Sequence, residues 1–264
     1  MVMLMEHKCP LHEFDSAREA YIEPSVRRNV FLDEEMPESC VLTFSGRLIN
    51  KLTQLQGVKK LGTIKNPNEQ IDIYKWEYNG KSFAFLQIPV GAAAAAIRLE
   101  RTIALGARKI IVFGSAGVLK NEIGAGRILI PVSAVRDEGT SYHYLPPSRE
   151  VPVNQEVIET ITSVLEERQI DYLKCKTWTT DAIFRETPKK VSRRRSEGCL
   201  TVEMECSALL AVADFRKVKL GQLLYAQDSL GSTKWDSRED WVNEQSLSAI
   251  ENIFFLAAEI ATNL

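Results

Sequence analysis

From Lys109 the chain reads Lys-Ile-Ile-Val-Phe-Gly-Ser-Ala-Gly, an apolar run without polar alternation that reaches glycines at Gly114 and Gly117. A strand that alternates polar and apolar residues can leave one face in water, whereas one that does not must be covered on both faces. A cover is written just upstream. Gly91 opens five alanines, Ile97-Arg-Leu-Glu-Arg-Thr-Ile-Ala-Leu follows, and Gly106 closes the segment. Alanine has the highest helix propensity, and an alanine-rich helix can lie close against a sheet or another subunit. A helix followed by a doubly buried strand that ends in a glycine-bracketed turn points to an α/β sheet whose ligands bind at strand ends.

The rest of the chain repeats this alternation. Residues 40–44 read as a buried strand broken by Ser45-Gly46, and helical spacing begins at Arg47. Segments 71–78 and 82–89 form a hairpin across Asn79-Gly80, a strong turn signal. A strand follows Gly124, then a loop over 137–147, a helix over 157–168, a strand over 172–180, a strand from Leu220 that sets Asp228 at its C-terminal edge, and a helix over 243–264. Pro10, Pro24 and Pro37 interrupt the first forty positions, which read as an arm on the surface. No linker divides the chain. The expectation is one three-layer αβα domain, residues 1–264, with a mixed central β-sheet and residues 1–40 as an N-terminal arm.

With 33 basic and 35 acidic residues, the composition argues against a nucleic-acid binder. The basic run from Lys189 to Arg195 reads as a solvated face. The five cysteines form no Cys-x-x-Cys pair and no Cys/His metal spacing, so no metal site is expected and thiols of a reducing cytoplasm fit best. No segment approaches a membrane span.

In the stretch Thr201-Val-Glu-Met-Glu-Cys-Ser-Ala-Leu-Leu, Glu203 and Glu205 fall at the mouth of an apolar helix. Spacing alone explains them by the helix dipole, which favours carboxylates there. The residues Val-Glu-Met-Glu, however, resemble the ribose-binding signature of the nucleoside phosphorylase superfamily. Two further stretches match in the same order: residues 91–100 with Leu105-Gly-Ala-Arg-Lys109, and Gly114-Ser-Ala-Gly-Val118 followed by Gly124-x-Gly126-Arg-Ile-Leu-Ile-Pro.

The resemblance implies roles. Glu205 would accept hydrogen bonds from the ribose 2′- and 3′-hydroxyls, Met204 would pack on the sugar face, and Glu203 would stand near the base or the 2′-hydroxyl. Ile183 or Phe184 would present a side chain to the base, and Ser115 and Gly117 would border the substrate. Asp228 would donate or share a proton at purine N7, with Arg238 closing on it. Arg47 and the Ser115 hydroxyl would hold phosphate. The family's further phosphate arginine is replaced by Val112, which predicts that Val112→Arg tightens phosphate, and a family glycine is replaced by Thr43. Hydrolase relatives of the methylthioadenosine nucleosidase type activate water with a glutamate near the first strand, and residues 41–46 contain none. The family's partner-subunit histidine for the ribose 5′-hydroxyl has Val26 at the expected distance, and the nearest histidine is His12.

The implied activity is phosphate-dependent cleavage of a nucleoside, purine rather than pyrimidine, to base and ribose 1-phosphate. It needs no cofactor beyond inorganic phosphate as co-substrate. The alternatives are a nucleosidase that uses water, a uridine phosphorylase, and a nucleoside-binding protein with a decayed phosphate site. The expected assembly is a homodimer or a hexamer built from dimers.

Overall fold

In chain order, the strands of the computed structural model are β1 (Val30–Leu32), β2 (Ser39–Thr43), β3 (Lys59–Lys65), β4 (Gln70–Tyr78), β5 (Lys81–Gln87), β6 (Lys109–Val118), β7 (Ile128–Asp137), β8 (Glu150–Pro152), β9 (Tyr172–Thr180), β10 (Cys199–Glu203) and β11 (Lys219–Ser229). The helices are α1 (Gly46–Leu52), α2 (Ala92–Ala104), α3 (Gln155–Glu167), α4 (Pro188–Ser196), α5 (Cys206–Arg216) and α6 (Glu244–Asn263). Residues 8–25, 30–65, 70–239 and 244–264 are described. All these strands join one mixed sheet in the order β1-β3-β4-β5-β2-β6-β10-β9-β7-β11, with β8 beside β7. Because β11 also pairs with β6, the strands β6, β10, β9, β7 and β11 close into a ring.

The shared strand β6 explains where a ligand can enter. Its first half, Lys109 to Phe113, runs parallel to β2, while Gly117 and Val118 pair antiparallel with Val202 and Thr201 of β10. On its other side, β11 follows it along nearly its whole length. Between the two partners the sheet parts, and an opening forms at the point where strand order changes.

The glycine pair on β6 does not make the expected turn, because the strand continues to Val118. Its physical reason is close approach. A Cβ at Gly114 would stand 2.6 Å from the Phe44 ring, and one at Gly117 would stand 2.9 Å from Leu230 and 3.1 Å from Val202.

Alternation along β6 sends Ile111 and Phe113 to one face. Phe113 meets Phe254 of α6 edge-on, with ring centroids 6.4 Å apart, and Phe254 also meets Phe85 at 5.2 Å. On that side Gly221 lets Ile161 of α3 approach the sheet, since a Cβ there would lie 2.7 Å from it. Helices α2 and α5 pack against each other.

The N-terminal segment is less separate than an arm. Val30–Leu32 pairs with β3 as an edge strand, and Arg18 stacks over Phe215 of α5 at 4.7 Å. The basic run forms α4 and is not wholly solvated: Arg194 is buried, stacks on Trp178 at 5.3 Å and pairs with Asp137 and Glu197 at 3.2 and 3.0 Å. Among the described residues, no helix is long and apolar enough to cross a membrane.

Candidate active site

Where β6 leaves β2 for β10, a cavity of about 620 Å³ opens. A larger one, about 860 Å³, lies between the N-terminal segment and helices α2 and α5, away from every candidate residue named above.

The turn from β10 into α5 supplies one wall. Glu203, the last residue of β10, is buried, and its Oε2 accepts from the backbone N–H of Glu205 (2.8 Å) and Cys206 (2.6 Å). Its Oε1 accepts from the hydroxyls of Thr179 (2.6 Å) and Thr177 (3.4 Å). Four protein donors use most of what a carboxylate can accept. Glu203 lines the cavity, and its carboxylate also holds the turn.

Glu205 differs. Its Oε1 accepts from the Gly91 N–H at 2.5 Å, which ties the start of α2 to the cavity, and the Met204 backbone also donates to its carboxyl. Burial first, and then the nearby Glu203 charge, raise its pKa. Two acceptor positions remain for a diol. Met204 is half-buried beside it and lines the same space. Gly91, at φ 97°, sits where a side chain would strain the backbone.

Ser115 is exposed to the cavity and pairs across the strands with Tyr225, whose hydroxyl shares a hydrogen bond with it. Gly117 borders the cavity too; a Cβ there would come within 3.3 Å of Asp228 Oδ1. Asp228, near the end of β11, accepts at Oδ2 from the Trp235 indole N–H at 2.7 Å. Glu186, after a short 3-10 turn at Ile183–Arg185, is half-buried in the same cavity. Burial, and then the Asp228 charge, push it up to about 7, with Lys190 opposing.

Three candidates stand elsewhere. Phe184 is 95% exposed and points away, so of the two residues offered to the base only Ile183 lines the cavity. Arg238 does not close on Asp228. Its guanidinium donates to the Ile123 carbonyl at 2.9 Å and lies 3.7 Å from Asp236. The physical reason is the Ser229–Asp236 bridge, which turns the loop so that Trp235 reaches Asp228, and leaves Arg238 at φ 49°. Arg47 is exposed on the first turn of α1 and is not among the lining residues. Val112 is fully buried in the core and does not face the cavity.

The residues the sequence did not mark are Glu186, Trp235 and Glu239. Glu186 follows the loop 181–184 directly, and that adjacency is the one signal that could have found it. Together the lining carboxyls are Glu186, Glu203, Glu205, Asp228 and Glu239, and among the described residues no lysine or arginine lines the cavity. His12 lies on another small surface cavity near Tyr142, and Val26 is outside the described residues.

A purine nucleoside phosphorylase of Plasmodium vivax is 27% identical over 203 residues, spanning 75% of this chain and 80% of its own length. A uridine phosphorylase from Vibrio fischeri superposes with a TM-score of 0.73 at 20% identity, over 87% of this chain and 94% of the other. A 5′-methylthioadenosine/S-adenosyl homocysteine nucleosidase from Campylobacter jejuni superposes with a TM-score of 0.69 at 18% identity, over 85% and 98%. The last two likenesses concern the fold, a single αβα domain with a mixed sheet. Residues 39–258 match the family model of the phosphorylase superfamily, and the chain belongs to that superfamily.

Proposed function

We propose that the protein is a nucleoside phosphorylase that transfers the ribosyl group of a purine nucleoside to inorganic phosphate, giving free base and ribose 1-phosphate. The observation that carries this reading is the meeting of Met204 and Glu205 with Ser115 and Asp228 in one cavity at the parting of the sheet. The ribose lies on the Met204 thioether with its hydroxyls on Glu205, an acceptor-only group suited to two donors. The base lies towards Ile183, Trp235, Glu186 and Asp228, where a carboxyl can protonate a departing purine. Cleavage of the glycosidic bond builds positive charge on the sugar, and the lining carboxylates stabilise that charge where it develops. Phosphate is held by the Ser115 hydroxyl, and Arg47, exposed on the first turn of α1 outside the lining, has to swing towards the cavity to supply the cation.

The absence of a basic residue among the described lining residues favours a second reading, in which water replaces phosphate. Base release from inosine in the presence and absence of phosphate separates the two. Under the first reading release requires phosphate, the phosphate KM lies towards the upper end of the usual range of about 1 μM–1 mM, and Arg47→Ala raises it further. Release that ignores both phosphate and Arg47→Ala assigns the nucleophile to water.

The assembly is proposed to be a homodimer or a hexamer of dimers. Val90 and Ile97, beside the cavity and on α2, are 64% and 58% exposed, and Ala93 and Ala94 share that exposure. A face of this kind is suited to a second copy. Sedimentation at micromolar concentration should show at least a dimer, and a monomer there would rule the assembly out.

A further inference from the structure

Strands β7, β9 and β10 are parallel neighbours that stop at one level, with Asp137 opposite Thr180 and Thr179 opposite Glu203. Behind the cavity wall, residues near these strand ends join into a buried polar chain. Glu138, the residue after β7, is 5% exposed, and Ser141, Thr179 and Ser207 are fully buried. None of the four lines the cavity.

The donors set the direction of this chain. The Ser207 N–H donates to Thr179 Oγ1 at 3.0 Å, and the Thr179 hydroxyl donates to Glu203 Oε1 at 2.6 Å. The Ser207 hydroxyl donates to Glu138 Oε1 at 2.9 Å, and the Ser141 N–H donates to Glu138 Oε2, also at 2.9 Å. Arg136 in turn donates to the Ser141 hydroxyl at 2.9 Å. The first N–H groups of α5 have no partner inside the helix. Glu203 takes those of Glu205 and Cys206, and Thr179 takes that of Ser207. The turn 203–207 is thus held at its start by the Glu203 carboxyl and at its end by Glu138 through the Ser207 hydroxyl. Between these anchors lie Met204 and Glu205, which face the cavity.

Burying a carboxyl is costly even when it is hydrogen-bonded, and a neutral hydroxyl already serves the Ser207 N–H. What Glu138 adds is a pair of acceptors that tie Ser207 to the loop after β7. On the reading that the protein cleaves nucleosides with Glu205 on the ribose diol, we propose that Glu138 is a positioning residue for that site. Through Ser207 it fixes the pose of the turn, and so the aim of the Glu205 carboxyl, without touching substrate.

Glutamine at this position shows what the carboxyl does. The Ser141 N–H can only donate, so the amide oxygen stays with it and the amide NH2 turns to Ser207. The Ser207 hydroxyl then accepts where it donated, its proton loses Glu138 as partner, and the turn shifts. Misplacement by about 1 Å can cost catalysis about 100-fold, so a smaller shift has a measurable effect.

The test is a double-mutant cycle on kcat/KM for inosine with phosphate present, using Glu138→Gln, Glu205→Gln and the two together. Glu138→Gln alone should lower kcat/KM by about tenfold. In the Glu205→Gln background the same change should cost less than about twofold, because the carboxylate it aims is already gone. The inhibition constant of 2′,3′-dideoxyinosine, which offers no diol, should also move by less than about twofold in Glu138→Gln. Ser207→Ala removes the link but keeps the backbone contacts of α5, so it should repeat this pattern with a thermal midpoint close to that of the wild type.

Equal fold-losses in both backgrounds, with the dideoxynucleoside weakened to the same extent, reduce Glu138 to a support of the fold and overturn the inference. Unchanged inosine turnover in both Glu138→Gln and Ser207→Ala overturns it as well. Either result leaves the functional reading standing. A wild-type protein that releases no base from inosine overturns that reading, and the inference with it.

Discussion

Val112→Arg is expected to give little or no soluble folded protein, the opposite of the tighter phosphate binding that the family pattern suggests for it. Val112 is fully buried on β6, flanked in register by Leu42 of β2 and Gln222 of β11, both also buried. An arginine there would bring an unpaired charge and several extra heavy atoms into a filled core. The one polar side chain directly across is Gln222, whose Oε1 has no partner, and a single neutral acceptor cannot offset an ion's desolvation. A destabilisation on the order of 4 kcal/mol or more follows, at the extreme of single substitutions. Soluble yield and thermal midpoint, with Val112→Ile as a size control, measure it. A well-folded Val112→Arg variant that binds phosphate more tightly would show that position 112 faces the cavity.

The second large effect is on substrate. Glu205→Gln should lower kcat/KM for nucleoside by roughly 10- to 150-fold, the equivalent of the 1.5–3 kcal/mol of a hydrogen bond to a charged group. The fold should survive, since the glutamine oxygen can still accept from Gly91.

The same substitution tests the charge of the buried pair. Burial raises both Glu203 and Glu205 above the ordinary carboxylate range. A folded pKa above the unfolded one means that the folded state holds more protons across that interval. Stability is then greatest below the unfolded pKa and declines as the pH rises through the raised values. Glu205→Gln should flatten that decline in melts taken at increasing pH. Normal turnover in the variant would remove Glu205 from the sugar site.

Much of this fold could be read from residue pattern because its strands are locally distinct. The hairpin at Asn79-Gly80, the alanine helix and the strand Tyr172–Thr180 each follow from propensity, turn chemistry or period. The parting of the sheet could not be read this way. That β6 changes partner between Phe113 and Gly117 depends on which distant strands arrive, and so the glycines looked like a turn.

The site shows the same division. The Val202-Glu-Met-Glu run is contiguous, and it places Met204 and Glu205 at the cavity. The base end is assembled from separate loops. There the side chain facing Asp228 was settled by a backbone bridge at Ser229 and Asp236, which put Trp235 where Arg238 was expected. Phe184 and Ile183 are adjacent and both exposed, and only the direction of a short 3-10 turn brings Ile183 and not Phe184 to the cavity.

The closed ring of five strands also sets when a working site can exist during synthesis. Its first member begins at Lys109 and its last ends at Ser229, which pairs back onto Val118. Loop closure over such a separation has to precede the contacts that reward it. A nascent chain that has emerged only as far as α5 already carries Ser115, Met204 and Glu205, yet it lacks Asp228 and the strand that closes β6. The pocket therefore cannot form before β11 has emerged from the ribosome, and no contiguous fragment ending before β11 contains it.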